Sequence, residues 1–177
     1  MVSSSERTVI WNSLCTISNL CDDVNNLPVL AKKDILKQCM LHYLVQKEDV
    51  KLQSRVMRIL YKLSRDDKSH AILEESFRVT KIVEVINQTT LDDMKLDAIR
   101  YVVNLAHNKD FCEKLLEGKA VEMMVKVSLC QSDPLLLEIT RGFLALSQIS
   151  SPQLRSSMIK AGAVQRLIAL KKTSQNE

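Results

Sequence analysis

At 177 residues the chain fits one domain, and its 46 % apolar content is too high for a disordered segment. Three glycines, three prolines and 4 % aromatics are too few for the tight turns of a barrel or sandwich. A net charge of +4 at a pI near 8.8 falls short of the strongly basic balance of a nucleic-acid-binding domain, which points away from nucleic acid as a partner. No apolar run approaches the ~18 residues of a membrane span, and Met1–Arg7 lacks the apolar core of a signal peptide. The cysteines Cys15, Cys21, Cys39, Cys112 and Cys130 are odd in number and scattered, which reads as free thiols in a reducing, cytoplasmic setting; a ciliary or nuclear home would look the same. The sequon Asn87-Gln88-Thr89 is then a chance match.

The first expected element is a long helix entered through Ser3-Ser4-Ser5-Glu6, a capping box, and closing on Cys15-Thr16-Ile17-Ser18-Asn19-Leu20. After the polar break Cys21-Asp22-Asp23, the stretch from Leu27 to Leu44 reads as two shorter helices around a hinge at Lys33-Asp34. Asp49 caps a second long helix closing on Arg58-Ile59-Leu60-Tyr61-Lys62-Leu63, followed by a short pair from Ala71 to Ile86 hinged at Glu75-Ser76. The box Thr90-Leu91-Asp92-Asp93 opens a third, closing on Arg100-Tyr101-Val102-Val103-Asn104-Leu105, and the pair from Phe111 to Leu129 hinges at Glu117-Gly118. Ser132-Asp133-Pro134 opens a fourth, closing on Arg141-Gly142-Phe143-Leu144-Ala145-Leu146. The pair from Leu154 to Leu170 hinges at Ala161-Gly162, and a polar tail ends the sequence.

The four closing leucines are 43, 42 and 41 residues apart, and the hinge positions 34, 76, 118 and 162 keep the same period. Three residues before each leucine stand Ile17, Leu60, Val102 and Phe143, and eleven before stand Val9, Leu52, Met94 and Leu135, spacings that fall on one helical face. A period near 42 with one long helix per unit predicts an all-α, right-handed α-solenoid of about four repeats. The long-helix pattern of Leu14–Leu20 and Ile99–Leu105, with the junctions Glu117–Val121 and Lys160–Val164, resembles the armadillo-repeat family over nearly the whole chain. The units run 3–48, 49–89, 90–131 and 132–172, with 173–177 as tail. The first unit opens on the third helix of an armadillo repeat. The expectation is therefore a piece of a larger protein with further repeats or a domain N-terminal to it, or a first helix that pairs with another chain.

Catalytic chemistry finds no support: His42, His70 and His107 lie in different units, no metal-ligand spacing occurs, and no phosphate loop can be built from Gly118, Gly142 and Gly162. The expectation is no enzyme, no metal and no cofactor. The acidic pairs Asp22-Asp23, Asp66-Asp67 and Asp92-Asp93 read as caps and turns, and Met40, Met57, Met123 and Met124 as core filling. Five residues before the closing leucines stand Cys15, Arg58, Arg100 and Arg141, and one before stand Asn19, Lys62, Asn104 and Ala145. In the armadillo family, which the sequence resembles, these long helices line a concave groove. There the position of Asn19 and Asn104 contacts the backbone of an extended peptide. Lys62 and Ala145 depart from that pattern, and Cys or Arg stands where importins carry Trp, so basic nuclear-localisation peptides do not fit.

An arginine ladder suits acidic ligands, because guanidinium pairs bidentately with carboxylate or phosphate. The candidate partner-binding residues are Asn12, Asn19, Lys51, Arg55, Arg58, Lys62, Arg100, Asn104 and Arg141, receiving an extended acidic or phosphorylated segment of a protein. The competing explanation is a solvated charged face, with arginines paired to Asp97 or Glu138 three residues away on their own helices. Trp11 is either packing or a partner anchor. The expected function is a protein-interaction module of a cytoplasmic scaffold or adaptor. The alternatives are a client-binding armadillo domain attached to tetratricopeptide repeats and, in third place, helical-repeat RNA binding.

Overall fold

The computed structural model describes residues 4–34, 37, 38, 40, 49–130 and 132–174; Ser3, Cys39, His42, Leu44 and the last three residues of the tail lie outside the described residues. Every described element is helical. In chain order they are α1 (Ser4–Leu20), α2 (Leu27–Ala31), α3 (Val50–Leu63), α4 (His70–Ser76), α5 (Val79–Gln88), α6 (Asp92–Ala106), α7 (Cys112–Glu117), α8 (Ala120–Val127), α9 (Asp133–Gln148), α10 (Pro152–Lys160) and α11 (Ala163–Ser174). Short 3-10 turns lead into α2, α4 and α7. The long helices α1, α3, α6 and α9 lie in a row, each against the next, while α5 packs on α6 and α8 on α9. The units from α3 onward thus bury their stripes against their neighbours, as a solenoid does.

The apolar spacing explains the burial. Leu63, Leu105 and Leu146 are fully buried, as are Leu60, Val102 and Phe143 one turn earlier. In α1 the same register holds but the stripe is open: Val9 is 65 % exposed and Leu20, an expected anchor, 47 %. The physical reason is that α5 and α8 cover this stripe on α6 and α9, whereas no described helix takes that place on α1. The side of α1 that meets α3 is buried through Leu14 and Ser18, as is Cys21 just past its end.

Local chemistry sets the ends. Asp49 caps α3 by accepting from the Leu52 N–H at 3.2 Å. The box expected at Thr90–Asp93 does not form. Leu91 is the N-cap of α6, and its N–H donates to the Thr89 hydroxyl at 3.2 Å, so the threonine one residue earlier shapes the entry. The hinge glycines differ in purpose. Gly162 adopts φ +83, a left-handed conformation that glycine reaches without cost. Gly118 is right-handed, and the positive φ falls on Lys119; Gly118 is required for space, since a Cβ there would lie 2.5 Å from Cγ1 of Val79. Between the layers, the buried Tyr101 hydroxyl donates to the Phe77 carbonyl at 3.1 Å, and burial lifts its pKa well above the ordinary phenol value. His70, also buried, places Nε2 2.7 Å from the Ser64 carbonyl and meets Phe111 edge-on.

Candidate partner-binding face

The long helices place their polar positions in columns. Eight residues before the closing leucines stand Asn12, Arg55, Asp97 and Glu138; five before stand Cys15, Arg58, Arg100 and Arg141. The two positions are about one turn apart on one helix face. Across neighbouring helices they interleave. Arg58 Nε donates to Asp97 Oδ2 at 2.9 Å, Arg100 Nε donates to Glu138 Oε1 at 3.2 Å, and Arg141 Nη1 donates to the same oxygen at 3.0 Å. Arg100 also lies 3.8 Å from Asp97. The result is one alternating chain, Arg58–Asp97–Arg100–Glu138–Arg141, running over α3, α6 and α9.

The acids form its floor and the guanidinium groups stand above them: the side chains of Asp97 and Glu138 are 1 % and 9 % exposed, those of Arg58, Arg100 and Arg141 43 %, 31 % and 57 %. Burial raises the Asp97 pKa, outweighing the opposing hydrogen bond from Arg58, while the same bond raises the Arg58 pKa. The three arginines therefore do share a face, as expected. They pair with carboxylates both within a helix and between helices, and the latter contacts were not foreseen. The signal was available: an arginine five before one leucine and an acid eight before the next differ by one repeat less three residues. Tyr61 lies beneath Arg100 at 5.4 Å, and a cleft of about 470 Å³ opens here, lined by Tyr61, Arg100, Asn104, His107, Glu138 and Arg141 among others.

Two candidates turn back onto the preceding helix. Lys62 Nζ donates to the Ser18 carbonyl at 2.9 Å and pairs with Asp22 at 2.7 Å, which lowers the Asp22 pKa. Asn104 Nδ2 donates to the Ser64 hydroxyl at 2.9 Å. Both knit unit to unit. Asn12 and Asn19 are exposed.

The α1–α3 end is built differently. Arg55 occupies the column where Asp97 and Glu138 stand, so that column supplies no acidic floor there among the described residues. Its guanidinium lies over the Trp11 ring, 4.8 Å from the centroid. Trp11 is half-buried against the core, so it packs and still presents a wall to solvent. Beside it a cleft of about 330 Å³ is lined by Arg7, Thr8, Trp11, Asp49, Lys51 and Leu52. Arg7 holds Asp49 at 2.6 Å, and Lys51 is exposed with no carboxylate partner among the described residues.

Among the described residues no three His, Cys, Asp or Glu side chains cluster as a metal site would require, and no helix is long and apolar enough to cross a membrane. Cys15, Cys21, Cys112 and Cys130 are free thiols, and burial pushes the Cys21 pKa up to about 11.

A row of stacked three-helix units with the third helices side by side is an armadillo-repeat solenoid. Solved structures agree in fold. A computationally designed armadillo repeat protein for modular peptide recognition superposes with a TM-score of 0.85 at 16 % identity, over 96 % of this chain and 71 % of that one. An engineered protein gives 0.81 at 16 % identity, over 96 % and 69 %. A designed armadillo repeat protein in complex with the peptide (KR)4 gives 0.76 at 15 % identity, over 96 % and 70 %. The sequence matches the kinesin-associated protein (KAP) family over residues 10–176, and the chain belongs to that family.

Proposed function

We propose that the chain is a non-enzymatic protein-interaction module of a cytoplasmic scaffold or adaptor, whose long-helix face receives an extended acidic or phosphorylated segment of a partner protein. The observation that carries this reading is the excess of cations on that face. Lys51, Arg55, Arg58, Arg100 and Arg141 stand there over Asp97 and Glu138, both sunk beneath the arginines, with Asp93 near Arg58 and Asp49 already held by Arg7. Complementary charge steers and orients such a partner, and the preformed row of helices spares the protein side the cost of ordering.

The KAP family takes its name from association with another protein, and one neighbour was designed for peptide recognition; both support a protein partner. Another neighbour holds the basic peptide (KR)4, whereas the sign of this face favours the opposite ligand. Selection of short peptides from a random library, with and without phosphorylation, tests the reading. Enrichment of Asp, Glu or phosphoserine, lost on the Arg58→Gln/Arg100→Gln/Arg141→Gln/Lys51→Gln variant, is expected. Enrichment of basic peptides, or enrichment indifferent to these substitutions, would contradict it.

A further inference from the structure

Resting on that reading, we infer that the anionic side chains of the partner segment are anchored at the α1–α3 end of the face, in the cleft beside Trp11, by Lys51 and the Arg55 guanidinium held over the indole. The alternating chain across α6 and α9 then serves chiefly as internal stacking.

The geometry separates the two ends. Around α6 and α9 a ligand carboxylate must compete with Asp97 and Glu138, which already sit 2.9–3.2 Å from the guanidinium nitrogens. The three arginines meet two buried acids, and Asp93 also acts on Arg58, so little charge is left uncompensated there. At the other end Arg7 and Lys51 line the cleft with one carboxylate among its described lining residues, Asp49, which Arg7 already occupies, and Arg55 stands beside the cleft over Trp11. Two cations are thus left without an acidic partner among the described residues, next to a cavity of about 330 Å³.

Trp11 adds a second argument. A guanidinium resting on an aromatic face loses less rotamer freedom when it binds, because part of its position is already fixed. Its in-plane N–H groups remain available to donate two parallel hydrogen bonds to a carboxylate or phosphate. The indole and Leu52 supply an apolar wall, so the favoured ligand is an acidic or phosphorylated residue adjacent to an apolar one on an extended chain. The carboxylate and phosphate sources share this chemistry, and the experiment separates them.

Trp11 is the sole tryptophan of the sequence, so its fluorescence reports on this cleft alone. The experiment titrates the chain with a labelled oligo-glutamate peptide, with a Ser-Gly peptide bearing one phosphoserine, and with oligo-uridine. Labelled-peptide anisotropy and Trp11 emission are both read. The expected result is saturable binding of at least one anionic peptide with a matching change in Trp11 emission. Lys51→Gln/Arg55→Gln weakens it at least tenfold and Arg141→Gln less than threefold. Lys51→Gln alone, at an exposed position, should weaken it at least threefold and serves if the double variant fails to fold.

Binding by one peptide and not the other identifies carboxylate or phosphate as the source. Equal weakening by the two sites, weakening by Arg141→Gln alone, or binding without a Trp11 response would overturn the anchor and leave the long-helix groove standing. Binding indifferent to all variants, or no binding of either peptide at millimolar concentration, would overturn both. Oligo-uridine bound more tightly than either peptide through Lys51 and Arg55 would replace a peptide ligand with RNA.

Discussion

The junction of α1 with α3 and the junction of α6 with α9 use the same repeat positions to opposite ends. At α6–α9 the stripe residues Met94 and Leu105 are buried, and the column eight before the anchor carries acids that absorb the arginines. At α1–α3 the equivalents Val9 and Leu20 face solvent, and the same column carries Asn12 and Arg55. A single column decides whether the cations of a junction meet a carboxylate from the neighbouring helix. In a solenoid, where each unit touches only its neighbours, that decision can be made unit by unit.

The largest expected effect breaks the comparison at the anchor leucines. Leu105→Ala should cost about 3 kcal/mol in chemical denaturation by emptying a fully buried site, whereas Leu20→Ala, half in solvent, should cost under about 1 kcal/mol, since its transfer term is already partly lost. Next is the floor of the ladder. Asp97→Ala should cost about 2 kcal/mol, less than the 3–5 for a wholly buried pair because Arg58 and Arg100 keep access to water. Asp49→Ala, at the open end, should cost about 1 kcal/mol through the lost N-cap of α3.

The pH dependence sharpens the same contrast. The folded-state pKa of Asp97 lies above its ordinary value of 3.8 because burial disfavours its charge. The folded state therefore takes up the proton first. This destabilising contribution is fully present at neutral pH, is relieved as pH falls through the raised pKa, and is gone below 3.8. In thermal melts, wild type should gain stability relative to Asp97→Asn as pH is lowered from neutrality; Glu74, also raised by burial, adds to the slope in both proteins. The smallest effect belongs to the open end: Arg55→Gln should shift Trp11 emission while costing only about 0.5–1 kcal/mol, the scale of an exposed cation–π contact.

Much of the architecture was legible in the sequence because burial follows period. Leucines 41–43 residues apart, with apolar partners three and eleven before them, can only share a face if the segments are helices that stack. The ladder was half legible. Its members were found by column, but the bonds that join them link residues 39 and 38 apart, beyond the reach of the helical spacing rule. Asn104 and Lys62, expected at a partner, bond instead to Ser64 and Ser18, contacts that helical spacing does not reveal. The cap at Thr90 failed for a local reason, because Thr89 offers its hydroxyl to Leu91 instead. At the third hinge the glycine was correctly placed, yet its use is steric room beside Val79 rather than a left-handed turn.

The most direct test of the central claim is hydrogen exchange of the chain with and without a saturating acidic or phosphorylated peptide taken from the library selection. The expected result is slowed exchange in α1 and α3, smaller slowing in α6 and α9, and no change in the short helices α4 and α7. Slowing confined to α4 and α7, with α1 and α3 unaffected, would contradict it.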